Sequence, residues 1–403
     1  MVKSGLTKEF CLVNGRVMTP HRVLNRGGIH IRGEKIAQVF DMDDENSAGT
    51  FQALPNIDVG GAWIVPGFID MHAHGGGGGD FMDASKAALA AMAASHAAGG
   101  TTSLIPTTLT SSLSQLEAAL DNFASCRDSI TGARLWGVHL EGPYFSYEQR
   151  GAQDPRYLKY PDRDEYLQIL DKYPFIVRVS AAPELPGGLE LGRELRKRGI
   201  LAAIGHSNAT YEEILQAVDA GYSHITHLWS GMPGVRRVNC FRVAGPVESG
   251  LLLDSLTVEV IADGKHLPPA LLKLAYKCKG SQGMALCSDA LAPAGMGEGR
   301  YILGSAAEGQ EIIVDDGVAW LPDRSAFAGS VVTGNDLVRT MVELAGIPLK
   351  EAVEMATATP ARILGINDVT GSLDAGKYGD ITVLDEELSV VRTFVGGQEV
   401  FVS

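Results

Sequence analysis

The chain has 403 residues, with 34 lysines and arginines against 48 aspartates and glutamates, which gives a formal net charge of −14 at pH 7. Its content of 45% hydrophobic and 20% charged residues is typical of a globular protein with a large buried core. The acidic balance argues against nucleic acid or an anionic membrane surface as the main partner, because both select clustered positive charge. No apolar run approaches the ~20 residues that a membrane-spanning helix needs.

The cysteines indicate a reducing compartment. The five of them are scattered and include no Cys-x-x-Cys pair: Cys11, Cys126, Cys240, Cys278 and Cys287. We interpret them as buried thiols without disulfide partners. Residues 1–15 lack the charged-then-apolar layout of a secretory signal. We therefore predict a cytoplasmic protein.

Both ends of the chain are rich in short β patterns separated by turns. Near the N-terminus the candidate strands are 10–13, 28–31 and 36–40, and near the C-terminus they are 381–384, 390–394 and 400–402. We predict that the two ends pair into one small β-sandwich domain, made of residues 1–62 and 361–403.

The middle of the chain alternates strands with helices. The candidate strands are 63–70, 103–107, 135–140, 176–181, 201–204, 224–227, 256–261 and 284–287. Helical patterns include 86–98, 113–125, 211–220, 270–277 and 335–344. We predict an α/β fold with a TIM-like (β/α)8 barrel over residues 63–360, because a doubly wound open sheet does not normally need eight such units.

Polar residues follow the predicted barrel strands at their C-terminal ends, where the active sites of such barrels lie. They are His72, His74, Glu141, His206, His227, His266 and Asp289. Burying such groups without compensation costs several kcal/mol each. A bound divalent metal is the simplest compensation, and imidazole and carboxylate ligands suit zinc and iron.

Each of these residues also has a structural alternative. His72 and His74 face the same side of a strand end, but such pairs also occur on surfaces. His224 and His227 face opposite sides of their strand, and we select His227 as the inward one because it is nearer the C-terminal end. For the others the alternatives are a salt bridge for Glu141, core packing for His206 and a turn cap for Asp289.

Five consecutive glycines follow the first predicted barrel strand, at residues 75–79. The run lacks the Gly-Lys-Ser/Thr ending of a phosphate-binding loop and the GxGxxG pattern of dinucleotide folds. We predict a tight, closely packed loop and not a nucleotide site.

Motifs along nearly the whole chain resemble the amidohydrolase superfamily. They include residues 66–70 (PGFID), which lead into His72-Ala73-His74, and residues 356–365 (ATATPARILG). Within the superfamily, residues 139–143 (HLEGP), 205–207 (GHS), 226–228 (THL), 262–264 (ADG) and 288–290 (SDA) resemble the N-acetylglucosamine-6-phosphate deacetylases. HLEGP is the specific element, because many other amidohydrolases place a carboxylated lysine at the position of Glu141.

The resemblance implies metal-dependent hydrolysis of the N-acetyl group of N-acetylglucosamine 6-phosphate. Glu141, His206 and His227 are then the ligands of the main metal. His72 and His74 would hold a second ion bridged by Glu141, so that we expect one or two ions per subunit, zinc or alternatively iron. Asp289 would lie near both ions as a further metal-binding residue and as general base and acid. His266 would contact the substrate and help to polarise the acetyl carbonyl.

Sugar and phosphate recognition depart from the family pattern. Ala152 matches a sugar-contacting position, but Gln153 stands where a histidine is common, and Ser230 and Gly231 replace the family's usual Asn-Ala. The phosphate-binding segment is offset and offers Arg236, Arg237 and Arg242 as candidates. Arg236 and Arg237 would suit a bidentate phosphate clamp, with a solvated loop pair as the alternative. The resemblance also implies a homodimer in which a basic residue reaches the neighbouring site.

Three other functions remain open at the level of sequence. The nearest keeps the chemistry and changes the sugar to N-acetylgalactosamine 6-phosphate. A cyclic-amide hydrolase or aminoacylase of the same superfamily is more distant, and Glu141 in place of a carboxylated lysine counts against the former. A non-catalytic scaffold would be expected to have lost the predicted ligands, which are all present.

Overall fold

The computed structural model describes residues 9–44, 54–305 and 308–403. Residues 1–8, part of the segment that we predicted to lack a secretory signal, lie outside these ranges, and so do residues 45–53 of the predicted N-terminal β segment. The strands in chain order are β1 Glu9–Met18, β2 Val23–Arg32, β3 Lys35–Asp41, β4 Asn56–Asp58, β5 Trp63–Pro66, β6 Phe68–Ala73, β7 Gly75–Gly76, β8 Gly79–Asp80, β9 Thr101–Pro106, β10 Arg134–Leu135, β11 Val138–Glu141, β12 Ile176–Ala181, β13 Leu201–Ile204, β14 Tyr222–Ile225, β15 Arg236–Val238, β16 Phe241–Val243, β17 Thr257–Ile261, β18 Met284–Cys287, β19 Gly299–Leu303, β20 Gln310–Asp315, β21 Val318–Trp320, β22 Phe327–Ser330, β23 Ile381–Leu384, β24 Val390–Val395 and β25 Gln398–Val402.

Most of the helices lie between the strands of the middle region. They are α1 Lys86–Ala98, α2 Leu113–Cys126, α3 Arg163–Lys172, α4 Gly188–Arg198, α5 Tyr211–Ala220, α6 Pro246–Leu252, α7 Pro269–Gly283, α8 Gly334–Glu343, α9 Leu349–Ala356 and α10 Ala358–Ile363. Short 3-10 turns cover Phe81–Asp83, Arg127–Ser129, Tyr147–Gln149 and Pro155–Tyr157. Side chains of Ser85, Ser112 and Thr210 accept backbone N–H groups at the starts of α1, α2 and α5, which fixes where those helices begin.

Strands from both ends of the chain lie in one eight-stranded sheet. Its order is β25-β24-β23-β5-β1-β2-β3, with β4 paired to β1. The C-terminal part joins the N-terminal part where Ile381 of β23 pairs antiparallel with Pro66 of β5. Leu12, Ile64 and Phe394 belong to the buried apolar cluster of this sheet. The sandwich form and the domain boundaries stay predictions.

The middle of the chain contains two sheets of parallel strands. One has the order β10-β9-β6, and the other has the order β11-β12-β13-β14-β17-β18. Parallel bridges link both edges of the six-stranded sheet to the three-stranded one, one between Thr107 and His139 and one between Ala73 and Ala290. Strands β6, β9, β11 and β18 are buried along their whole length, so these apolar runs are covered on both faces. The C-terminal ends of all these strands meet at one end of the molecule.

Two β elements were absent from our sequence prediction. A hairpin of β15 and β16 follows β14, and a four-stranded antiparallel sheet in the order β19-β20-β21-β22 follows β18. A parallel bridge between Ala290 and Ser330 fixes this sheet beside the end of β18. The sheet therefore stands next to the C-terminal ends of the parallel strands.

The glycine run forms the closely packed turn that we predicted. Residues 75–80 make a two-residue hairpin, β7 with β8. A Cβ atom on Gly79 would lie 2.3 Å from the carbonyl oxygen of Ala88, so only glycine fits against α1 at this point.

The cysteine prediction was partly wrong. All five cysteines are free thiols and Cys11, Cys126 and Cys287 are buried, but Cys240 and Cys278 are exposed. Cys240 lies in the turn of the β15–β16 hairpin and Cys278 lies on α7. The sequence did not show which side of either element faces solvent. Across the described ranges, we find no helix of the length and apolarity needed to cross a membrane.

Candidate metal centre and active site

The predicted site residues converge at the C-terminal ends of the parallel strands, around a cavity of about 290 Å³. The predicted residues that line it are His74, Glu141, Ala152, His206, His227, Ser230, Gly231, His266 and Asp289. His72 lies directly beneath, fully buried, with its Nε2 atom 3.4 Å from Glu141 Oε1. We had predicted that His227 lies within the strand, but it lies two residues beyond the end of β14.

Glu141, the last residue of β11, is the centre of the cluster. Its Oε1 atom lies 3.0 Å from His227 Nε2 and 3.4 Å from His206 Nε2. Its Oε2 atom lies 3.4 Å from His74 Nε2. The candidate ligand atoms of Glu141, His206 and His227 lie within 4.8 Å of one another, and so do those of His72, His74 and Glu141. One carboxylate therefore belongs to two adjoining groups, each suited to a divalent cation.

The chemistry of these donors fits a metal. His72 Nε2 is buried and has no hydrogen-bond partner, although it lies 3.3 Å from Asp289 Oδ1. An unsatisfied buried polar atom costs about 1–3 kcal/mol. Imidazole nitrogens and carboxylate oxygens at this density are the ligand set of zinc or iron sites.

The electrostatics of the cluster lead to the same conclusion. Burial opposes the charged form of His72, but the Glu141 and Asp289 carboxylates outweigh it and raise the pKa of His72 to about 9. Burial likewise opposes protonation of His74, and hydrogen bonding to Asp289 and Glu141 raises its pKa to about 10. Burial favours the neutral form of Glu141, yet the surrounding histidines hold its pKa well below the usual range. The two carboxylates thus attract positive charge to this point.

Three of the site residues have backbones in the left-handed region. The φ angles are 48° at His206, 28° at His227 and 49° at Asp289. Such conformations cost of the order of 1–3 kcal/mol each in residues other than glycine. Surrounding contacts hold them, since His206 Nδ1 lies 2.8 Å from the Gln149 carbonyl oxygen and the Asp289 N–H donates to the His72 carbonyl oxygen at 2.9 Å.

Asp289 lies beside both histidines of β6 and its extension. Its Oδ1 atom is 3.1 Å from His74 Nε2 and 3.3 Å from His72 Nε2. Burial raises the pKa of this carboxyl, but the two histidines outweigh burial and lower it. The group is therefore ionised and able to accept a proton at the cavity wall.

His266 lies on the opposite wall and is held by two contacts. Its Nδ1 atom lies 2.7 Å from Asp263 Oδ2, and its ring packs on Phe327 with the ring centroids 4.8 Å apart. With Nδ1 bound to Asp263, Nε2 is the ring atom left for a ligand. Phe327 belongs to β22, so the unpredicted sheet supplies part of the wall.

Gln153 is a site residue that we had noted only as a departure from the family pattern. Its Nε2 donates to Glu141 Oε2 at 2.7 Å, and its Oε1 accepts the backbone N–H of Thr110 at 2.9 Å. The side chain thus orients the central carboxylate from the loop after β11. No periodicity or spacing in the sequence signalled this contact.

The three candidate phosphate-binding arginines lie outside the cavity lining. They belong to the β15–β16 hairpin, and Arg236 is held by Asn208, with Nη1 donating to Oδ1 at 2.6 Å. Arg237 and Arg242 are exposed, and among the described hydrogen bonds their side chains contact only Cys240. The structure does not bring these arginines to the metal ligands of the same chain.

The chain is similar to known proteins over most of its length. A family model described as the amidohydrolase family matches residues 63–400. The chain is 34% identical to an N-acetylglucosamine-6-phosphate deacetylase of Vibrio furnissii, covering 89% of this chain and 90% of that protein. It is 37% identical to an N-acetylgalactosamine-6-phosphate deacetylase of Escherichia coli O157:H7, covering 83% and 87%. A solved variant of the Mycobacterium smegmatis N-acetyl-D-glucosamine-6-phosphate deacetylase, in complex with N-acetyl-D-glucosamine-6-phosphate, matches with a TM-score of 0.88 and 32% identity over 98% of this chain and all of that one.

Proposed function

The chain belongs to the amidohydrolase family, and we propose that it hydrolyses the N-acetyl group of N-acetylglucosamine 6-phosphate to give glucosamine 6-phosphate and acetate. The observation that carries the proposal is the convergence of the histidines and two carboxylates on one cavity around Glu141. The similarity to deacetylases of Vibrio furnissii and Mycobacterium smegmatis supports the choice of substrate.

The fold that we propose for residues 63–360 is a closed (β/α)8 barrel. The parallel strand order and the bridges that link both edges of the six-stranded sheet to the three-stranded one support it. The sheet shared by the two ends supports a separate β-sandwich domain made of residues 1–62 and 361–403, with β5, Trp63–Pro66, as a strand of that sheet just beyond the first range. In this arrangement the cavity lies at the face of the barrel where such enzymes act.

Glu141, His206 and His227 would hold the main metal ion, and His72 and His74 would hold a second ion together with Glu141. We propose zinc, with iron as the alternative, at one or two ions per subunit. When bound, a divalent metal supplies Lewis acidity that polarises an amide carbonyl and acidifies water.

Asp289 would carry the proton during the reaction. Its carboxylate takes a proton from water while the water oxygen bonds to the acetyl carbon. The C–N bond then breaks, and the same proton passes from Asp289 to the departing amine nitrogen. The lowered pKa of Asp289 supports this role, because the group must start ionised.

His266 would contact the acetyl group through Nε2 and help to polarise its carbonyl, with Asp263 fixing the ring from the other nitrogen. Ala152, Ser230 and Gly231 line the same cavity and would contact the sugar. We expect no nucleic acid or membrane partner.

Phosphate recognition would come from Arg236, Arg237 or Arg242 across a homodimer. The exposure of Arg237 and Arg242 on a projecting hairpin supports this assignment, since neither reaches the cavity of its own chain. Sedimentation velocity tests the assembly: a dimer is expected for the full chain, and a monomer with full activity would contradict it.

The substrate test is acetate release from N-acetylglucosamine 6-phosphate, its galacto epimer and unphosphorylated N-acetylglucosamine on metal-loaded enzyme. We expect a strong preference for the first compound. Preference for the epimer would keep the mechanism and change the substrate, in line with the Escherichia coli relative. No release from any of the three would overturn the proposed function.

A further inference from the structure

A buried ion pair lies beneath the floor of the cavity. Arg178 is in β12 and Glu259 is in β17, and both side chains are completely buried. Arg178 Nη2 donates to Glu259 Oε1 at 2.6 Å, and Nη1 donates to Oε2 at 2.7 Å. Neither residue lines the cavity, and neither has a part in the proton transfer described above.

The same carboxylate contacts a candidate ligand from each of the two metal groups. Glu259 Oε1 lies 2.9 Å from His72 Nδ1. It also accepts the backbone N–H of His227 at 3.2 Å. His72 belongs to one group and His227 to the other, so Glu259 is linked to both sides of Glu141.

This contact fixes which nitrogen of His72 is free to bind a metal. A neutral imidazole carries one proton, and a carboxylate beside Nδ1 holds that proton on Nδ1. Nε2 is then left with its lone pair directed at the space between Glu141 and Asp289. Metal-binding histidines in general donate their second nitrogen to a carboxylate or carbonyl in this way.

Arg178 keeps the carboxylate in place. Besides the two bonds to Glu259, it donates to the Thr226 hydroxyl at 2.8 Å and to the Met71 carbonyl at 3.1 Å. These contacts tie β6, β12, β17 and the residue that precedes His227 to one guanidinium. Buried ion pairs add little stability compared with apolar side chains of similar volume, so stability alone does not account for the pair.

We propose that Glu259, held by Arg178, is a positioning residue of the metal centre, which sets metal affinity by fixing the His72 tautomer and the backbone of His227. The inference rests on the proposed metal-dependent function and deepens it. His224, whose Nε2 lies 3.5 Å from Glu259 Oε2, supports the carboxylate from the remaining side.

The test compares two double variants that both lack the buried charges. R178M/E259M removes the acceptor for His72 Nδ1, and R178M/E259Q keeps an uncharged one. Zn²⁺ affinity is measured on the chelator-stripped full chain by competition, and the Co²⁺-loaded protein reports coordination through its absorption spectrum. We expect R178M/E259M to bind Zn²⁺ about 10–100-fold more weakly than wild type, with an altered Co²⁺ spectrum, and R178M/E259Q to recover most of the loss.

Asp380→Asn is the matched control. Asp380 is a buried carboxylate near Arg134, at 4.0 Å, but it lies in the terminal region and contacts no candidate metal ligand among the described hydrogen bonds. Its variant should bind Zn²⁺ like wild type. Equal weakening of R178M/E259M and R178M/E259Q, or a folded R178M/E259M with wild-type affinity and spectrum, would overturn the proposal.

A second measurement needs no change at position 259. Nitrogen-edited NMR of the Zn²⁺-loaded wild type should show His72 protonated at Nδ1 and not at Nε2, and the opposite tautomer would overturn the proposal. Neither measurement uses a substrate. A chain that binds Zn²⁺ as expected but releases no acetate would therefore refute the proposed function and leave this inference standing.

Discussion

Asp289 combines features that rarely meet in one residue: a left-handed backbone, two imidazole neighbours and a place on a cavity wall. The strain is maintained because its N–H donates to the His72 carbonyl and its carbonyl accepts the Ser330 N–H at 2.9 Å. The backbone thus places this carboxylate beside the candidate metal ligands and on the cavity wall, where the proposed reaction needs a proton carrier.

Asp289→Asn should keep the fold and the metal but lower kcat by about 10²–10⁴-fold, because an amide cannot accept the proton. Steady-state acetate release and elemental analysis check both parts of the prediction. Asp323→Asn, at an exposed turn, is the control and should behave like wild type. Near-normal turnover of Asp289→Asn would refute the assigned role.

Gly231 is a position where the site tolerates no side chain. Its φ is +59°, and a Cβ atom there would lie 2.5 Å from His206 Nδ1 and 3.0 Å from the Gln149 carbonyl oxygen. Those two atoms form the hydrogen bond that orients His206. The close approach of His206 and Gln149 thus accounts for the glycine at position 231, where the chain departs from the family pattern.

Gly231→Ala should weaken Zn²⁺ binding by displacing His206, in addition to the backbone strain at positive φ. Metal stoichiometry after dialysis measures the effect. Gly365→Ala tests the backbone contribution by itself, because its φ is +69° with open space around the Cβ position. Equal metal content in the two variants would contradict the expected displacement.

The positions of the candidate ligands were predictable from the sequence, but those of the residues that support them were not. His72, Glu141 and Asp289 follow strand patterns directly, so their placement at one end of the parallel strands could be predicted. Glu259 and Arg178 gave only a weak signal, a charged residue inside an apolar strand. Which partner neutralises such a charge depends on strands far apart in the chain.

At the scale of elements, the four-stranded sheet β19–β22 supplies part of the cavity wall beside the candidate metal ligands. Phe327, Ala328 and Gly329 of β22 line the cavity, and Leu303 of β19 lines it as well. The sheet therefore forms part of the cavity wall that we propose to face the substrate, and the parallel strands carry the candidate metal ligands.

Phe327→Ala should lower kcat/KM by about 2–10-fold with unchanged metal content, since an aromatic contact of the kind made with His266 is worth ~0.5–1.5 kcal/mol. Steady-state kinetics at substrate concentrations below KM give the ratio. Ile302→Ala, an exposed position of the same sheet, should leave it unchanged. A loss of metal in Phe327→Ala would contradict the expectation that Phe327 affects only the cavity wall and not the metal centre.

The bounds of the helices were predicted more closely than the hairpin β15–β16 and the sheet β19–β22, which the sequence analysis missed. The predicted helices 86–98 and 211–220 have the same bounds in the structure, because a side-chain cap and an apolar period mark each start. The sheet β19–β22 was missed, although Asp316-Gly317 joins β20 to β21 and is a strong hairpin signal. Its strands are only three to six residues long, so they show little alternation of apolar and polar residues.

At the scale of the whole molecule, metal binding and stability should be coupled. The cluster brings together side chains from β6, β11 and the segments after β13, β14 and β18, and a cation that binds only the folded chain stabilises it. Chelation should therefore lower the unfolding temperature by a few degrees and Zn²⁺ should restore it. Scanning calorimetry measures the shift, and Glu141→Ala should show no Zn²⁺ dependence. A metal-independent unfolding temperature in wild type would contradict the coupling.

The pairing of β5 with β23 has a consequence for how the chain is made. Pro66 leaves the ribosome long before its partner Ile381, with roughly 300 residues between them. At a synthesis rate of ~5–20 residues per second, about 15–60 s pass between the synthesis of β5 and that of β23. During synthesis one edge of the growing sheet is therefore open, and such an edge is a template for unwanted pairing. The parallel strands, which end at Cys287, are all synthesised while translation continues, whereas the shared sheet is complete only after β23, β24 and β25 have emerged.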